Sequence, residues 1–244
     1  MKKAIKYISG FSIIIVMLFF GFQNAFSQVG AVAAVTGKMM DRISKEPIKV
    51  KFNVYDVSGK RVNARTMNSN KSTGYYYIPS LKPGSVYYIH IEEPGYMKQV
   101  FEIKIPNTDR YSEISKDFLI FPKQIGTKIP ISVPPFELRK SRLRWGADEI
   151  LNEYALTMIK NKDVSFEIIS YPESEEDKEA NKELTSQRAE SLKEYFISKG
   201  VNPERLEATG KTLPDPRNPP PAEKQAKGKR YIGTTYIYVA DINQ

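Results

Sequence analysis

Arg188, an acidic run at residues 173–177, a single histidine and the lack of any cysteine bound the chemistry open to this 244-residue chain. Without cysteine there are no disulfides, thiolate metal sites, cysteine nucleophiles or lipid-bearing cysteines. One histidine, His90, leaves a His-built metal site or catalytic triad without its parts. No two acids are set opposite one another by a recognisable hydrolase motif, and the acidic run lacks the alternating Asp pattern of a calcium loop. What remains is charge recognition. Thr185 is predicted to cap a helix, with Leu184 and Ala189 as its hydrophobic staple, which puts Arg188 at the third helical position. A capping box gives that place to Glu, and a cation there opposes the helix dipole by about 0.3–1 kcal/mol. An anion is therefore expected beside Arg188. The acidic run, fifteen to eleven residues upstream, is one source, and a ligand carboxylate is the other.

The elements that would position these residues fall into two grammars. Up to residue 121 the chain alternates: Val50, Phe52 and Val54 with lysines and Asn53, then Phe101, Ile103 and Ile105 with Glu102 and Lys104. Turn signals at Ser58-Gly59, residues 69–74, Lys82-Pro-Gly84, Glu93-Pro-Gly95 and Asn107-Thr-Asp109 separate short strands, which predicts an antiparallel β-sandwich of about seven strands. After a linker at residues 122–128 the pattern changes. Ile129, Ile131 and Val133 alternate; Ala147, Leu151, Tyr154 and Met158 share one helix face, with Asp148 and Glu149 in its first turn; and Val164, Phe166 and Ile168 alternate again. A second helix buries Ala189, Leu192 and Phe196 and stops at Gly200, followed by strands at residues 205–210 and 231–239. The expectation is an α+β two-domain chain. Residues 28–121 form the sandwich and residues 129–244 a βαβαββ α/β sandwich, each able to fold alone.

Residues 1–27 read as a secretory signal peptide: Lys2, Lys3 and Lys6, an apolar run at residues 13–20 too short to span a bilayer, and Ala25-Phe-Ser27 before a cut at Gln28. Removing it takes the net charge from +9 to +6, since three lysines and no acid are lost. That excess suits acidic envelope polymers and is too small to point to nucleic acid, and no transmembrane segment is expected after processing.

Several stretches then resemble the OmpA-like peptidoglycan-binding domain: Phe136-Glu-Leu-Arg-Lys-Ser-Arg-Leu143, Tyr171-Pro-Glu173, Asn181, Leu184-Thr-Ser-Gln-Arg-Ala-Glu190, Tyr195 to Val201, Arg205-Leu-Glu-Ala-Thr-Gly210, Asp215-Pro216 and Lys229-Arg230. The resemblance implies a non-enzymatic binding domain without metal or cofactor. Its ligand would be the diaminopimelate of the peptidoglycan stem, whose free end carries an ammonium and a carboxylate on one carbon. By position, Glu173 would take the ammonium and Arg188 the carboxylate, with Asn181 and Arg230 in support. Pro172 stands where the family has Thr, and Glu173 where it has Asp, so the acid keeps its charge on a longer arm. The resemblance implies a periplasmic protein held to the cell wall or to the inner face of a Gram-negative outer membrane. In the alternative reading Glu173 or Asp177 simply pairs with Arg188, the pocket is vestigial, and the chain is a structural subunit whose partners are envelope proteins.

The first half carries a second resemblance. Gly37-Lys-Met-Met-Asp41, Pro47-Ile48, Thr73-Gly-Tyr-Tyr76, Lys82-Pro-Gly84 with Tyr88-Ile-His-Ile91, and Pro94-Gly-Tyr96 look like the carboxypeptidase regulatory-like (transthyretin-like) domain, which implies a stabilising or adhesive module. Eight of the 15 tyrosines lie here and are expected to cover the sandwich core, hydroxyl outward; a row left exposed would suit sugar stacking. His90 is expected at the rim or in the core, and Trp145 as packing. The prolines and lysines between residues 214 and 230 form a basic connecting loop.

Overall fold

The computed structural model describes residues 31–131, 133–221 and 231–243. The proposed signal segment and Arg230 lie outside the described residues.

In the first half, alternation decides which side chains meet. The strands are β1 (Ala33–Asp41), β2 (Lys51–Asp56), β3 (Met67–Asn68), β4 (Tyr75–Leu81), β5 (Val86–Ile91), β6 (Val100–Lys104), β7 (Ser112–Ser115) and β8 (Phe118–Ile120), with every expected turn falling between strands. In β5, Tyr87, Ile89 and Ile91 are buried while Val86, Tyr88 and His90 stay half-exposed. One sheet runs β4-β1-β7, with β8 also on β1, and the other runs β3-β2-β5-β6. Their inner faces share a core that includes Val35, Met39, Tyr76 and Phe118 from one and Phe52, Val54, Ile89 and Ile103 from the other. Most pairings are antiparallel, but β1 runs parallel to β7 along its first half and to β8 along its second.

The second half is a mixed sheet under two helices. It comprises β9 (Lys128–Pro130), α1 (Ala147–Lys160), β10 (Val164–Ser170), α2 (Lys178–Ser198), a 3-10 turn (Pro203–Arg205), β11 (Leu206–Gly210) and β12 (Thr235–Ile242). The sheet order is β11-β10-β12-β9, with β10 parallel to β11 and antiparallel to β12. The chain is thus α+β, with the expected βαβαββ order. β9 stops at Pro130, which lacks an N–H donor and so suits this edge position. Leu151, Tyr154 and Met158 of α1 and Ala189, Leu192 and Phe196 of α2 cover Phe166, Ile168, Ile237 and Val239, and the opposite face carries Ile169, Tyr171 and Tyr236.

The second core draws Met97 and Phe121 from the first half. Beside them Arg42 donates to both oxygens of Glu153 at 3.0 and 3.2 Å and to the Tyr154 hydroxyl at 3.0 Å. Its guanidinium carbon lies 4.5 Å from the centre of the Phe121 ring. The Asn161 amide accepts from the Lys98 N–H and donates to the Lys98 carbonyl, both at 3.0 Å, as a strand neighbour would. Lys123 pairs with Asp163.

Candidate functional site

Arg188 is placed by α2, and the helix does not start where the spacing suggested. It begins at Lys178, with the Asp177 carboxylate accepting the Ala180 N–H at 3.0 Å. Asp is among the best N-caps, and the stretch from Lys178 to Leu184 holds good helix formers and no breaker, so the helix extends back to it. Thr185 is therefore an interior residue and Leu184 with Ala189 is no staple. The Thr185 hydroxyl lies 2.8 Å from the carbonyls of Asn181 and Lys211, donating to one at a time, and so ties α2 to the end of β11. The approach is close: a Cβ on Gly210 would sit 2.3 Å from the Ser186 nitrogen. At the other end Gly200, with φ of 99°, closes the helix through Val201 N–H to Phe196 O and Gly200 N–H to Ile197 O, the Schellman pattern.

Arg188 thus lies in the third turn, out of reach of the dipole's first-turn effect. Its need for an anion arises from burial instead: the side chain is 0% exposed. A guanidinium withdrawn from water must be hydrogen-bonded and paired. Its Nε donates to Lys140 O at 2.9 Å, and its Nη2 donates to Glu173 Oε1 at 2.6 Å, with Glu137 O more distant at 3.4 Å. The guanidinium carbon stands 5.2 Å from the Phe136 ring centre. Nη1 has no hydrogen-bond partner among the described residues, although it is buried.

Glu173 sits in the loop after β10, its side chain 15% exposed. Asn181, one turn into α2, donates to Ser174 O at 2.7 Å and faces Thr212 O at 3.4 Å. It therefore holds the loop that presents Glu173 and makes no hydrogen bond to Arg188. Glu175, Glu176 and Asp177 are exposed, and Asp177 is used as the cap. Of the four sequence-derived site residues the structure brings Glu173 and Arg188 into contact, places Asn181 behind them, and does not describe Arg230.

The segment before α1 supplies what residue-type reasoning missed: the Phe136 ring and the carbonyls of Glu137 and Lys140. Backbone acceptors leave no side-chain signature, although Phe136 opens the motif quoted above. The Glu137 carboxylate turns outward, where hydrogen bonds from Lys140 and then Arg142 lower its pKa to about 2. A buried acid went unassigned: Asp215, on the opposite sheet face, accepts from the Tyr236 hydroxyl and from the Arg217 N–H.

Other expectations resolve differently. Trp145 is 97% exposed and not packing, because the turn at Gly146 (φ 75°) that starts α1 leaves it outside the fold. His90 lies on the outer face of its sheet, its ring 4.4 Å from Tyr55. The tyrosines divide: Tyr76 and Tyr87 are buried, whereas Tyr75, Tyr77 and Tyr111 are exposed. Among the described residues no group of three or more His, Asp or Glu could hold a metal ion. No helix among them is long and apolar enough to cross a membrane.

Set against known proteins, residues 135–228 match the model of the OmpA family. No curated protein matches the chain. Among solved structures, the group B streptococcus pilus 2b backbone protein shares 15% identity over 37% of this chain and 41% of its own length, with a TM-score of 0.32. The periplasmic domain of Helicobacter pylori MotB shares 12% identity over 63% of this chain and 82% of its own, with a TM-score of 0.37. BcpA, the major pilin subunit of Bacillus cereus, shares 15% over 38% of this chain and 31% of its own, with a TM-score of 0.30.

Proposed function

With an OmpA family domain at residues 135–228 as the premise, we propose that this is a non-enzymatic cell-envelope protein that binds peptidoglycan non-covalently through the diaminopimelate of the peptide stem. The observation that carries the reading is the Arg188 guanidinium, fully buried, in contact with one carboxylate and still holding an Nη1 without a partner among the described residues. A ligand that offers a carboxylate and an ammonium on one carbon answers both halves of this pair: the carboxylate takes Arg188 and the ammonium takes Glu173 as it is displaced. Asn181 keeps the Glu173 loop in place, and Arg230 is the supporting cation. On this reading the protein works in the periplasm against the wall, and the transthyretin-like sandwich is the adhesive or stabilising module that the domain tethers.

The closed Glu173–Arg188 contact at 2.6 Å favours a second reading, in which the pair is structural and the chain is a subunit of an envelope assembly. Co-sedimentation of the full chain with purified sacculi separates the two. Peptidoglycan binding predicts that wild type pellets and is released by free meso-diaminopimelate but not by lysine. Arg188→Lys, which keeps charge but loses the fork, should weaken binding about tenfold or more. Glu173→Ala should weaken it too, and Glu173→Asp should retain it. Wild-type protein that stays in the supernatant refutes the proposal and leaves the structural reading.

A further inference from the structure

Away from Arg188, a cleft of about 430 Å³ opens where β5 and β6 meet the end of α1, lined by His90, Glu92, Lys98, Gln99, Val100 and Lys160 among others. Three groups at this cleft, the Gln99 Nε2 and the Lys98 and Lys160 ammonium groups, have no hydrogen-bond or ion-pair partner among the described residues. The Gln99 side chain is 2% exposed, and its orientation is fixed because Oε1 accepts the Phe121 N–H at 2.8 Å. Its Nε2 is buried with no hydrogen-bond partner among the described residues. A buried amide donor left unpaired is costly, and in native folds such a group commonly serves a ligand or an ordered water. Lys98 and Lys160 bring two ammonium groups, and neither has a carboxylate within ion-pairing distance among the described residues. Asp163, the acid whose charge Lys98 feels, is already paired with Lys123. Lys160 and His90 repel each other, and the one carboxylate of the cleft, Glu92, is engaged by the Asn53 amide at 2.6 Å.

We propose that this cleft is a binding site for a small oxyanion, a phosphate or carboxylate group, held by the Lys98 and Lys160 ammonium groups, with Gln99 and the His90 ring on its wall. The balance of charge favours an anion: two unpaired cations face one carboxylate that is already hydrogen-bonded. The cleft takes residues from both halves of the chain, so an anion seated there bridges the sandwich and α1. Its volume exceeds that of a bare oxyanion and accommodates one carried on a sugar-sized body.

His90 is the sole histidine, so its ring protons are an unambiguous NMR reporter in the full chain. Inorganic phosphate and acetate are titrated separately, with sodium chloride at matched ionic strength as control. The expected result is a saturable shift with a dissociation constant of about 1–10 mM, absent in chloride, together with an upward move of the His90 titration midpoint. Saturation by phosphate alone identifies a phosphoryl group, by acetate alone a carboxylate, and by both a site for the shared chemistry. Lys98→Ala and Lys160→Ala, both on exposed side chains, should each weaken binding about tenfold. A shift that stays linear and matches chloride overturns the proposal, and so does a saturable one that survives the double substitution.

Discussion

Replacing Arg188 by methionine keeps most of the buried volume but removes the cation from its contact with Glu173. The guanidinium makes a charge-assisted hydrogen bond to Glu173 at 2.6 Å and a further bond to Lys140 O at 2.9 Å. Losing one partner of a buried pair costs about 3–5 kcal/mol, because the survivor is stranded. The Glu173 side chain keeps 15% exposure and can regain some water, which places the cost at the lower end, about 3 kcal/mol. At about 2–4 °C per kcal/mol for a chain of this size, Tm should fall by about 6–12 °C. Glu173→Gln leaves an acceptor facing Arg188 and should cost about 1–2 kcal/mol. In the double variant no charge is stranded, so the two effects should fall short of their sum by about 2 kcal/mol. Urea unfolding of wild type, both single variants and the double variant reads this coupling directly. Single effects that add within about 0.5 kcal/mol would refute the buried-pair account. An Arg188→Met variant more stable than wild type would do so as well.

Two further outcomes follow from the junction between the halves. Arg42→Ala strips Glu153 of its partner and uncovers the Phe121 ring, and should destabilise by about 2–3 kcal/mol; calorimetry should then show two separated transitions in place of one, and an unchanged single transition would contradict the coupling. Burial first, and Lys160 second, lower the His90 pKa below 6.5, against Glu92. A base whose folded pKa is depressed contributes stability that is complete above its unfolded pKa and lost as pH falls through the folded value. Stability should therefore drop on acidification below pH 6.5, and His90→Gln should flatten that drop in urea titrations at successive pH values; an NMR midpoint for His90 at or above 6.5 would remove the basis for the effect.

Much of the fold was legible because it rests on period and punctuation. Inward residues of β5 and the stripe Ala189, Leu192, Phe196 follow from alternation and helical spacing alone. The Gly200 stop was equally plain, since only a residue tolerant of positive φ closes the helix that way. What the pattern could not carry is the parallel pairing of β1 with β7 and β8, because strand direction across a sandwich depends on how the chain returns and not on which side chains face inward. The contact between halves was equally silent: Met97 and Phe121 fall within the residues read as the sandwich, and nothing in their neighbours marks them as belonging to the other core.

For the site, the expectation of an anion beside Arg188 was reached from a helix start that the structure moves by eight residues, the N-cap being Asp177 and not Thr185. The contact with Glu173 is nonetheless present, and the reason is instructive. A helix-end argument weighs a few tenths of a kcal/mol in an exposed turn, whereas a buried guanidinium demands several kcal/mol of compensation wherever it sits in the helix. Burial, which no single-sequence pattern states outright, is therefore the stronger cause, and it also explains what the dipole could not. It accounts for the backbone carbonyls of Glu137 and Lys140 bent onto the same side chain, and for Phe136 beneath it. The incomplete part of that compensation, at Nη1, is the place where a bound carboxylate would lower the free energy most, and there the structural pair and the proposed ligand compete for one residue.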